Sequence, residues 1–78
     1  MRDRQAVLAV RRMQEYIEAH MAEPITLKQL ARVAGYSPWH SARLFKEMTG
    51  RAPFDYIRAL RLSQAALLLR DGQPRVVD

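Results

Sequence analysis

Trp39, Ala42, Arg43 and Lys46 are the residues of this 78-residue chain whose types and spacing point most directly to a chemistry. Advancing about 100° per residue along a helix places Ala42, Arg43 and Lys46 within roughly 60° of Trp39. Ser41, Leu44, Phe45 and Met48 gather on the opposite side. One ridge therefore carries a flat apolar ring, a methyl group, a guanidinium and an ammonium. Such a ridge suits the major groove of a DNA duplex, where arginine donates to guanine edges or phosphates and apolar surface meets thymine methyls. Bond-breaking chemistry finds no comparable set. His20 and His40 fall on different predicted helices, with no carboxylate pair or glycine-rich loop beside them and no cysteine anywhere. Neither histidine has the companions a zinc site demands. The chain is expected not to be an enzyme and to need no cofactor or metal; His40, at the third position of its helix, is expected at the groove edge or in the helix cap.

That ridge needs a helix, and the helix needs a frame. Thr26 followed by Gln29 has the reciprocal spacing of a capping box, and Ile25 and Leu30 can staple the entry of the chain. Leu27, Leu30, Ala31 and Ala34 give a narrow apolar stripe over 27–34. Gly35 can take the left-handed conformation that ends a helix. Ser37-Pro38 restarts one at once, with Ser as the N-cap and Pro at the first helical position. Two capped helices, 27–34 and 38–49, separated by so short a turn predict a helix-turn-helix. Gly50 closes the second.

The flanking segments read as supports. Residues 4–22 predict a bracing helix with Val7, Val10, Met13, Ile17 and Met21 on its apolar face, broken by Glu23-Pro24. The four methionines read as the start residue and packing groups. Pro53 opens a long helix over 53–70, with Ile57, Leu60, Ala65, Leu68 and Leu69 on one side and Gly72 and Pro74 ending it. Arg58 and Arg61, three apart, share a face that suits either backbone phosphates beside the groove or plain solvent. The fold class expected is all-α, a single small domain of about four helices, homeodomain-like in its helix-turn-helix.

The formal charge of +5 is unevenly placed. Cations and anions cancel over residues 1–23 and 62–78, whereas residues 24–61 hold seven cations against Glu47 and Asp55. The whole excess lies on the helix-turn-helix and the start of the next helix, as a nucleic-acid face requires. An acidic protein partner would also answer that charge. No apolar run approaches a membrane span, and the opening residues are too polar for a secretory signal, so a cytoplasmic protein without membrane association is expected.

The run ITLKQLARVAGYSPWHSARLFKEMTGRAPFDYIRALRLSQAALLL resembles the N-terminal helix-turn-helix of the AraC/XylS family of bacterial transcription regulators. The pattern LA…GYS…W…R.FK…G..P..Y(I)…R…A..LL occurs in order, and the resemblance covers about residues 5–78. It implies a DNA-binding unit of two helix-turn-helix subdomains joined by a long helix. By resemblance, Trp39 and Arg43 match positions that read base edges, and Ser37 and Lys46 match positions that contact or approach phosphates. Arg61 matches a linker-helix arginine near the backbone, and residues 73–78 look like the opening of a second subdomain that this chain does not include. Some relatives carry glutamine where this chain has Ala42, which can touch a thymine methyl but cannot bridge to adenine, so their target sequence does not transfer. Double-stranded DNA is the implied partner, with RNA polymerase a further one if the protein activates transcription, and any effector domain lies outside this chain. The rival reading is a helical interaction module whose basic, Trp-containing ridge grips an acidic protein.

Overall fold

The computed structural model describes residues 4–70, with side chains described as far as residue 66. Four helices follow one another: α1 (Arg4–Ala19), α2 (Leu27–Ala34), α3 (Pro38–Thr49) and α4 (Pro53–Arg70). No strand occurs among the described residues. This is the small all-α fold that periodicity and capping predict.

The core is built from one face of each helix. Ala6, Ala9, Val10, Met13 and Ile17 of α1 meet Leu30 and Ala34 of α2, Leu44 and Phe45 of α3, and Ile57 of α4. Phe45, Met13, Ile17 and Leu30 are completely buried. The Phe45 ring meets Tyr56 edge-on, with centroids 5.1 Å apart, which fastens the start of α4 to the middle of α3. Removing so much apolar area from water is the main term favouring this arrangement.

Capping fixes where the two motif helices begin and end. The Thr26 hydroxyl accepts from the Gln29 N–H at 3.1 Å, and the Gln29 side chain accepts from the Thr26 N–H at 2.9 Å. Gly35 sits at φ 83° and its N–H donates to the Ala31 carbonyl at 2.9 Å. Ser37 then caps α3 by accepting from the His40 N–H at 3.1 Å. At the far end Gly50 (φ 87°) donates to the Lys46 carbonyl at 2.8 Å. The Thr49 hydroxyl donates to the Phe45 carbonyl at 2.9 Å, so the last turn of α3 is secured from within.

Three details depart from expectation. α1 stops at Ala19 rather than running to residue 22. Residues beyond it form turns in which His20 stacks on Tyr16 at 4.1 Å and its Nδ1 lies 3.0 Å from Glu23 Oε1. Val7 is 40% exposed, because on the helical wheel it stands about 120° from Met13, while Ala6 and Ala9 point inward. Ala65 is exposed as well, as is every residue from Arg61 to Ala66, where α4 runs past the core that Ile57 joins. The side chains of Leu68 and Leu69, and the whole of residues 73–78, lie outside the described residues.

Arg61 ties this projecting helix back to the body. Its Nη2 donates to the carbonyls of Glu23 (3.1 Å) and Met21 (3.3 Å) in the turns that follow α1. Arg61→Gln is expected to lower unfolding free energy by about 1 kcal/mol, the net worth of a typical lost hydrogen bond. Urea titration measures it; a change within about 0.5 kcal/mol, the range of neutral surface substitutions, would mean water serves those carbonyls equally well.

Candidate nucleic-acid interface

The two faces of α3 separate as its wheel predicts. Ser41 (0% exposed), Leu44 and Phe45 are buried, and Met48 is half-buried. Opposite them, Trp39 is 69% exposed, and Arg43 and Lys46 are exposed, with Ala42 partly covered between them. An indole this open, on a helix whose other side is fully occupied, cannot fold back onto the core.

Within the ridge the side chains are organised. The Arg43 guanidinium carbon lies 5.2 Å from the centroid of the Trp39 ring, a cation–π arrangement. Its Nε donates to Glu47 Oε2 at 3.1 Å. His40 stacks on Tyr36 at 4.6 Å, one turn back, and with Trp39, Arg43, Leu44 and Glu47 it lines a shallow hollow on the outer side of α3. Ser37 stands at the N-terminal end, where the helix dipole and free N–H groups favour an anion. Lys46 continues the ridge towards the C-terminus.

On α4, Arg58 is exposed and its side chain forms no hydrogen bond with the described residues. Arg61 is exposed, but one of its terminal amino groups is engaged by the Met21 and Glu23 carbonyls. The structure thus gathers Trp39, His40, Ala42, Arg43 and Lys46 on one helix, places Ser37 at its cap, and keeps Arg58 and Arg61 on a second element. Sequence reasoning missed Tyr36 and Glu47. Both stand four residues from a partner, Tyr36 before His40 and Glu47 after Arg43, and that spacing is the signal that finds them.

The family of helix-turn-helix domains of AraC type matches residues 30–78, well over half of the chain. The chain belongs to the AraC/XylS family of helix-turn-helix regulators. The right origin-binding protein of Escherichia coli (strain K12) is 46% identical over 63 residues, covering 81% of this chain and 22% of that protein. The transcriptional regulator Rob of Salmonella typhimurium matches with the same figures. The multiple antibiotic resistance protein MarA of Salmonella typhimurium is 30% identical over 63 residues, 81% of this chain and 50% of its own length. This AraC/XylS-type chain therefore spans about a fifth of the length of the first two relatives. No solved structure matches it significantly.

Among the described residues no group of three or more His, Asp or Glu side chains is placed to share a metal ion. No helix there is long and apolar enough to cross a membrane.

Proposed function

We propose that this chain is a sequence-specific DNA-binding module of a transcription regulator, with α3 laid in the major groove. The observation that carries this reading is the division of α3: Ser41, Leu44 and Phe45 anchor one face, and Trp39, Arg43 and Lys46 project together from the other. In this reading Arg43 donates to a guanine edge, and Trp39 and Ala42 lie against thymine methyls. Ser37 and Lys46 bind phosphates on either side of the groove and His40 stands at its edge. Arg58 meets the backbone beside the groove, joined by Arg61 through the donors that the Met21 and Glu23 carbonyls leave open. RNA polymerase becomes a second partner if the whole protein activates transcription, and any effector is sensed by a part of the protein outside this chain. Residues 73–78 are proposed to open a second helix-turn-helix subdomain.

Titration of a duplex tests the reading. Affinity in the non-specific range, roughly 10⁻⁴–10⁻⁶ M at physiological salt, is expected for one reading helix acting alone. Neutralising about four phosphates gives a log–log salt slope of about −3.6. Lys46→Ala is expected to weaken binding to all duplexes alike and to reduce that slope by about 0.9, the contribution of one phosphate. A duplex-independent failure to bind at low salt, beside tight binding of an acidic protein, would replace DNA with a protein partner.

A further inference from the structure

Glu47 stands where helix energetics alone would not place it. It lies in the last turn of α3, where the macrodipole disfavours a negative charge. Arginine preceding glutamate by four residues is also the less favourable direction for such a pair. On a face that meets a polyanion, a carboxylate is a third cost. Yet the side chain is held in place: Glu47 Oε2 takes the Arg43 Nε–H at 3.1 Å, with the two side chains 37% and 61% exposed.

That contact orients the arginine. With Nε engaged by Glu47 and the guanidinium set over Trp39, the two terminal amino groups form the outer end of the fork. They hydrogen-bond to no other described residue. A pair of parallel N–H donors matches the O6 and N7 acceptors of guanine. A phosphate is drawn to the same fork mainly by charge, and the adjacent carboxylate cancels much of that pull while leaving the match to a neutral base edge intact.

We infer that Glu47 is a specificity-determining residue, which holds Arg43 end-on and weakens its attraction to backbone phosphates so that base edges compete for it successfully. This rests on α3 being the DNA-reading helix. Glu47→Gln keeps an acceptor for Nε and removes the charge; Glu47→Ala removes both. A preferred duplex is first selected from a random pool with the unaltered chain, and its affinity is compared with that of a scrambled duplex across a salt series.

Glu47→Gln is expected to tighten binding to the scrambled duplex about twofold to fivefold at low salt, the range spanned by exposed ion pairs. The salt slope should steepen by up to about 0.9. The preference ratio should fall, and fall further in Glu47→Ala, where the fork is no longer anchored. Thermal unfolding of both variants should match or exceed that of the unaltered chain, which a purely structural brace would not allow. In an Arg43→Ala background Glu47→Gln should still shift affinity for all duplexes but leave the ratio unmoved. A ratio unchanged or widened by Glu47→Gln, or the same change of ratio without Arg43, overturns the role and leaves α3 as the reading helix. Absence of duplex binding by every variant and by the unaltered chain overturns both together.

Discussion

Arg43→Ala is expected to flatten sequence preference while leaving the fold untouched. A bidentate arginine–guanine pair supplies about 1–3 kcal/mol of discrimination, so the ratio between a selected duplex and its scrambled form should fall about 5- to 150-fold. Affinity for the scrambled duplex should change far less, because the remaining cations still answer its phosphates. The side chain is 61% exposed and its partners, Glu47 and Trp39, lie on the surface, so the melting temperature should stay close to that of the unaltered chain. Anisotropy titrations with both duplexes, paired with a thermal melt, make the comparison. Equal losses on the two duplexes would mean Arg43 meets the backbone and base reading lies elsewhere.

Phe45→Ala should do the reverse. Phe45 is wholly buried, and its ring is the piece that α1, α3 and the edge of Tyr56 share. Truncating a buried phenylalanine costs about 3–5 kcal/mol, counting both lost transfer energy and the cavity left behind. A chain of 78 residues has a total stability of roughly 4–12 kcal/mol, so this one change removes a quarter or more of it. The expected melting temperature falls by at least about 12 °C, the shift that 3 kcal/mol produces in a domain of this size. DNA affinity should then fall in step with the folded fraction and equally for every sequence. A melt shifted by only a few degrees would show that the core closes over the gap.

Most of this arrangement is legible in the residues because it is local. Thr26 with Gln29, Ser37 with Pro38, and the two glycines each specify a helix end within four residues, and the structure uses all of them. The inward face of α3 likewise follows from a wheel, since Ser41, Leu44 and Phe45 recur at helical spacing. What escapes sequence reasoning depends on distant partners. The end of α1 at Ala19 is bound up with carbonyls that Arg61 reaches from 38 and 40 residues away. Ala65 has the right period to be buried, but burial needs a neighbour, and α4 has passed the edge of the core by then. Val7 is a different case: its exposure follows from the wheel itself, because 3.6 residues per turn carry it off the stripe that Met13 centres. The Arg43–Glu47 contact was equally available from spacing, and a formal count of charges conceals it by treating Glu47 as one anion among seven cations.

The strict division of α3 into a hidden side and an open side has a bearing on how such proteins diversify. Every group that anchors the rod lies on one side, and its two ends are fastened by Ser37 and Gly50. The outward positions at 39, 43 and 46 can therefore be rewritten with little penalty to folding, because their side chains are exposed, while the partly covered Ala42 admits fewer replacements. With α3 as the proposed reading helix, a lineage built on this scaffold would acquire new target sequences by small steps, each leaving a protein that still assembles, so the alphabet it reads would drift while the reader stays the same.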